Sequence, residues 1–140
     1  MIENFKYKRP IEVRWNDLDS LRHVNNAVYL TYYEIVRSGY FNDNFHWDWY
    51  KNGIILARAE VDFKLPILIT DKPMAYARCT AIGKKSLSLE YLLTIEREGR
   101  EVIASTGKSV LVMYSYLNGN TFDVPADVRE MLEKFEGVTL

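Results

Sequence analysis

Apolar and polar residues alternate early in the chain. Ile11, Val13 and Trp15 are separated by Glu12 and Arg14, a period of two that predicts a strand over about Tyr7–Trp15. Pro10 argues against a central position for its first half. Asn16-Asp17-Leu18-Asp19-Ser20 is a run of turn formers, and Asn25 and Asn26 suit a helix N-cap. From Ala27 to about Asn44 there is no proline and only Gly39 as a glycine, which predicts one long helix. Its apolar residues, among them Val28, Tyr29, Leu30, Tyr33, Val36 and Phe41, fall on nearly every side of the helical wheel, so the helix is expected to be buried. After a loop around Trp47–Gly53 the period returns to two. Strands are predicted over Ile54–Leu65, Met74–Ile82, Ser86–Arg97 and Glu101–Tyr116. Gly83-Lys84-Lys85 and Glu98-Gly99-Arg100 are tight connections between them. Pro125–Phe135 carries Val128, Met131, Leu132 and Phe135 at helical spacing, with Pro125 suited to its first turn. The order is strand, buried helix, four strands with short connections, and a final helix. It implies one α+β domain over residues 1–140, an antiparallel sheet wrapped around one long central helix.

Composition narrows what such a domain does. Eighteen basic residues against 19 acidic ones leave a net charge of -1, so no global field points to nucleic acid or an anionic membrane. No apolar run approaches the roughly 20 residues of a membrane helix, and Met1–Pro10 lacks the apolar core of a signal peptide. The lone cysteine, Cys79, excludes an intrachain disulfide and suits a cytoplasmic setting. No recognisable arrangement pairs it with a histidine, so a cysteine nucleophile is not expected. Two histidines and one cysteine give no metal-ligand spacing, and no glycine-rich phosphate loop is present, so neither metal nor cofactor is expected. Ten tyrosines and a sheet with free edges favour a homo-oligomer.

The chemistry concentrates in Arg14-Trp15-Asn16-Asp17-Leu18-Asp19-Ser20-Leu21-Arg22-His23-Val24-Asn25-Asn26, directly before the long helix. A helix start offers free backbone N–H groups and the positive end of the dipole, which stabilise an oxyanion. A carboxylate beside it can act as base or nucleophile. The same residues also serve as ordinary caps and turns, and the physics of the segment leaves both readings open. Elsewhere, Glu34 and Arg37 are spaced for a helical ion pair, and Glu60 and Asp62 on a strand could reach a cleft.

The run Asp17-x-Asp19-x-x-x-His23-Val24-Asn25-Asn26-x-x-Tyr29 resembles the N-terminal motif of the hot-dog-fold acyl-CoA thioesterases, relatives of 4-hydroxybenzoyl-CoA thioesterase and of plant acyl-ACP thioesterases. Val61-Asp62-Phe63-x-x-Pro66, Thr70-Asp71 and Lys84-Lys85-Ser86-Leu87 extend the likeness over about Tyr7–Tyr116. The resemblance implies a hot-dog fold and hydrolysis of an acyl-CoA. Asp19 would be the catalytic aspartate, with the amides near Asn25 and Asn26 polarising the thioester carbonyl. His23 matches a histidine of the plant enzymes, and Lys84, Lys85 and Ser86 match a basic turn that contacts CoA phosphates. It also implies a homodimer or homotetramer with the site at the subunit interface. Two positions depart from the pattern: Leu21 stands where the plant enzymes carry asparagine, and Arg22 where bacterial relatives often carry glycine. A protein that binds acyl-CoA or an acyl carrier without turnover, or an acyl-ACP thioesterase, are the competing expectations.

Overall fold

The computed structural model describes residues 1–140. Strand β1 (Tyr7–Pro10) is followed by a short 3-10 turn (Trp15–Asp17) and helix α1 (Asn26–Phe45). Then come β2 (Ile54–Phe63), β3 (Met74–Ile82), β4 (Ser86–Arg97), β5 (Arg100–Ser115), the two-residue β6 (Asn120–Thr121) and α2 (Ala126–Glu136). The sheet order is β1-β3-β4-β5-β2 with β6 beside β5, and every pair is antiparallel. This is the α+β hot-dog architecture that the motif implied.

The first strand is shorter than the alternation predicts. It ends at Pro10, and beyond Ile11, whose N–H still reaches the Pro73 carbonyl at 2.9 Å, the chain turns into the 3-10 segment. Trp15, expected on a strand, lies exposed there. The β4–β5 hairpin has the two-residue loop Glu98-Gly99, with φ of 53° and 73°, and Arg97 pairs with Arg100. Two left-handed residues in succession match the twist of the strands they join.

Helix α1 lies on one face of the sheet because large residues on the helix meet small ones below. Tyr29, Tyr32, Tyr33, Val36, Tyr40 and Phe41 are buried against an inner face that includes Ala75, Ala77, Leu89, Tyr91 and Leu93. Gly107 permits a close approach on β5. A Cβ there would sit 2.6 Å from the Tyr33 ring, which stacks on Tyr91 at 5.0 Å. The helix is not buried all round, as its composition suggested. Leu30, Thr31, Glu34 and Ile35 form an exposed flank beside β2. The wheel records which residues are apolar, not how many neighbours one chain supplies to cover them.

The two edges of the sheet differ. β1 is four residues long and ends in proline, whereas β2 offers ten residues with one side unpaired. Past the end of β1, the Cys79 N–H is met by Glu136 of α2 at 2.9 Å, so that edge is closed by a side chain. β2 carries no such cover, and Leu56 and Phe63 are exposed on it.

Candidate active site

A miniature antiparallel ladder precedes α1. The Asn25 N–H bonds the Asp17 carbonyl at 2.8 Å, Leu18 bridges Val24, and the Asp19 N–H bonds the His23 carbonyl at 2.8 Å. On its other side the Val24 N–H bonds the Ile67 carbonyl at 2.8 Å, and His23 bridges Leu68. The ladder fixes Asp19 two residues, or about 7 Å, along from the residue that meets the start of α1. The tight turn at its tip puts Arg22 at φ 66°. A left-handed conformation there explains why glycine suits this position. An L-residue held in it costs roughly 1–2 kcal/mol.

The two aspartates have opposite surroundings. Asp17 is buried, and both of its oxygens are occupied. The Arg14 N–H reaches Oδ2 at 2.9 Å, the Arg14 guanidinium bonds Oδ1 at 3.1 and 2.9 Å, and the Tyr32 hydroxyl donates to Oδ2 at 2.7 Å. Burial pushes its carboxyl up, but the bonds from Arg14 and Tyr32 outweigh it and hold the group below the ordinary carboxylate value. Asp17 is therefore committed to structure.

Asp19 is half-buried. Its Oδ1 accepts the backbone N–H groups of Leu21 at 2.9 Å and His23 at 3.2 Å, while Oδ2 bonds no protein group. One oxygen is held by the backbone, and the other accepts no hydrogen bond from the chain. Asn25 is the N-cap, its side chain accepting from the Ala27 N–H at 3.0 Å, and Val28 N–H bonds the Asn25 carbonyl at 2.9 Å. That leaves the N–H of Asn26, the first helical residue, without a protein partner at the positive end of a 20-residue helix. The His23 ring is half-buried and makes no hydrogen bond within the chain; its backbone belongs to the ladder. Asp19, His23, Asn25 and Asn26 lie on one short segment that runs into α1, with Asn25 acting as the helix cap.

Lys84, Lys85 and Ser86 are not part of this cluster within one chain. They form the β3–β4 turn, where Gly83 N–H bonds the Ser86 carbonyl at 2.8 Å and Lys85 pairs with Asp123 at 3.3 Å. Asp19 sits at the opposite end of the sheet, beside the segment where Asp71 pairs with Arg97 at 2.5 Å at the end of β4. The nine residues of β3 between the two ends span about 30 Å.

Other candidates resolve as follows. Cys79 is buried, and burial together with nearby Glu136 pushes its thiol up to about 12, far from a nucleophile. Glu34 and Arg37 make no ion pair; the Arg37 guanidinium points instead to the Tyr91 hydroxyl at 3.5 Å. Glu60 and Asp62 face away from α1, lining an outer-face cavity of about 330 Å³ with Arg78, Glu90 and Lys108. No group of three or more His, Cys, Asp or Glu side chains converges as a metal cage does. A groove of about 370 Å³ runs between α1 and β2, lined by Arg37, Phe41, Trp49, Ile54, Leu56 and Leu111 among others. The side chains of Arg14 and Tyr32 carried no expected role, yet both bond Asp17. Arg14 and Asp17 stand at i,i+3, a local signal, but Tyr32 joins them only through the fold.

The sequence profile of the thioesterase-like superfamily matches residues 13–132. The chain belongs to that superfamily. The matched span holds all the candidate residues from Asp19 to Ser86. The long-chain acyl-CoA thioesterase FadM of Escherichia coli K12 is 30% identical over 129 residues, which cover 90% of this chain and 94% of that protein. A thioesterase of Thermus thermophilus, solved with coenzyme A and zinc, superposes with a TM-score of 0.83 at 36% identity, covering 96% of this chain and 98% of that one. A mutant 4-hydroxybenzoyl-CoA thioesterase in complex with 4-hydroxybenzoyl-CoA shares the fold at a TM-score of 0.82 and 13% identity, covering 90% of this chain and 97% of that one. Superfamily membership and fold agree with the expectation drawn from the motif.

Proposed function

We propose that the protein hydrolyses acyl-CoA thioesters, with Asp19 and the start of α1 as its reacting centre. The carrying observation is the division of labour at Asp19. Oδ1 is held by two backbone N–H groups while Oδ2 bonds no protein group, on the segment that leads into the unpartnered Asn26 N–H at the start of a long helix. A thioester needs both parts. The helix N–H stabilises the oxygen that becomes negative when the carbonyl is attacked. As a base, Oδ2 takes the proton of the attacking water. As a nucleophile, the same oxygen bonds the acyl carbon, and water then cleaves the resulting anhydride. Both routes expel the CoA thiolate and use the same two groups. His23, whose ring bonds nothing within the chain, orients the water or the acyl group. The relatives named for acyl-CoA, and the Thermus enzyme solved with coenzyme A, support CoA as the carrier.

The working unit is a homodimer formed across β2. Its ten-residue free edge, with exposed Leu56 and Phe63 and the neighbouring Leu30 and Ile35 of α1, is the apolar surface that a second copy would cover. Antiparallel pairing of β2 with itself reverses the partner. Its β3–β4 turn then arrives at the end where Asp19 lies, so the partner's Lys84, the partner's Lys85 and the partner's Ser86 bind the CoA phosphates. The groove between α1 and β2 takes the acyl group. A buried lone cysteine suits a reducing, cytoplasmic compartment.

The Lys84→Ala/Lys85→Ala double variant tests the carrier. Its KM for an acyl-CoA is expected to rise about tenfold or more, with little change for the matching acyl-pantetheine, because remote phosphate contacts act mainly through binding. Equal effects on both substrates would remove this turn from CoA recognition.

A further inference from the structure

Asp17 is the only charged side chain among the buried residues, and its partners come from two different elements. Arg14 reaches it from the start of the 3-10 turn with three bonds of 2.9–3.1 Å, and Tyr32 reaches it from α1 at 2.7 Å. Asp17 in turn is two residues before Asp19, and its carbonyl receives the Asn25 N–H at the helix cap. One carboxylate therefore bonds the loop that carries the reacting aspartate and the helix that carries the oxyanion donor. Burial, and then the bond to Asp17, push the Tyr32 phenol far up, so it stays a donor.

We propose that the Arg14–Asp17–Tyr32 cluster is a positioning device for the reaction, fixing Asp19 relative to the Asn26 N–H, so that weakening it lowers kcat while leaving substrate affinity in place. This rests on the reading of Asp19 and the α1 start as the reacting centre. The physical ground is the steep dependence of rate on the placement of reacting groups. A misplacement on the order of 1 Å costs about a hundredfold, whereas binding of the nucleotide and acyl chain depends on surfaces well away from this cluster. None of the three side chains needs to touch substrate.

The test compares matched losses of one hydroxyl. Tyr32→Phe removes the bond to Asp17. Tyr40→Phe removes a comparable hydroxyl–carboxylate bond from the same helix, to Glu136 at 2.5 Å and at a different end of α1. Both variants are expected to lower Tm to a similar degree. Tyr32→Phe is expected to lower kcat about tenfold with KM within about twofold, and Tyr40→Phe to leave both constants at the parent's values. Arg14, whose side chain is largely exposed, provides a second arm that leaves no core cavity: Arg14→Met is expected to lower kcat several-fold at unchanged KM. The proposal is overturned if Tyr32→Phe loses Tm as Tyr40→Phe does yet keeps its kcat, or if its loss appears in KM alone. Asp19→Asn, measured alongside, separates the two levels. If it retains parent activity, the reading of the site fails and the positioning role falls with it. If it is inactive while Tyr32→Phe and Arg14→Met are not slowed, only the positioning role falls.

Discussion

Asp19→Asn is expected to lose roughly 10² to 10⁴ in turnover, the usual cost of removing a positioned base, and more if Asp19 is the nucleophile. The fold should be retained. The side-chain bonds made by Asp19 are both accepted at Oδ1 from backbone N–H groups, and an asparagine oxygen can accept both. What is lost is the charge and the basicity of Oδ2, which bonds no protein group. Melting is therefore expected to shift by the equivalent of a few tenths to about 1 kcal/mol. Asp17→Asn should differ by losing stability, together with the fall in kcat expected when the Arg14–Asp17–Tyr32 cluster is weakened. It leaves the free oxygen of Asp19 alone but sets an amide N–H against the Arg14 guanidinium in a buried place, so its stability should fall. Near-parent turnover by Asp19→Asn would assign the chemistry elsewhere.

Two defective chains should restore activity when they are mixed. If each site combines Asp19 of one subunit with the basic turn of the other, co-expressing the Asp19→Asn chain with the Lys84→Ala/Lys85→Ala chain creates one intact site per mixed dimer. That site takes its aspartate from the lysine-deficient chain and its lysines from the aspartate-deficient one. With random pairing half of the dimers are mixed, so roughly a quarter of parent activity at low acyl-CoA is expected, well above either parent variant. Within one chain the two groups lie at opposite ends of the sheet, with the nine residues of β3, about 30 Å, running between those ends, which favours this outcome. If both groups acted from one chain, every site in the mixture would carry a defect and activity would not recover.

The regular elements were largely legible. β3 and β4 cover the residues predicted, and α1 begins at the cap that Asn25 and Asn26 suggested. All of the departures but the first depend on a partner remote in sequence. Val13 and Trp15 alternate like strand residues, but Arg14 is drawn to Asp17, and the chain turns before a ladder can form. Asp17 and Asp19 are indistinguishable as neighbours in a turn. What separates them is Tyr32, 15 residues further on, whose hydroxyl occupies one aspartate and not the other. The lysine turn carries its charge openly in the sequence, but its distance from Asp19 is a property of topology. The exposed flank of α1 looked like core because the sequence counts apolar residues without saying which of them the fold of one chain covers.

Acyl-CoA hydrolysis itself is tested most directly by following free thiol during incubation of the purified protein with medium- and long-chain acyl-CoA. The expected result is continuous thiol release, many CoA molecules per subunit, proportional to enzyme and abolished in Asp19→Asn. Saturable binding of acyl-CoA with no thiol released would contradict it and mark the protein as a carrier that holds the thioester intact.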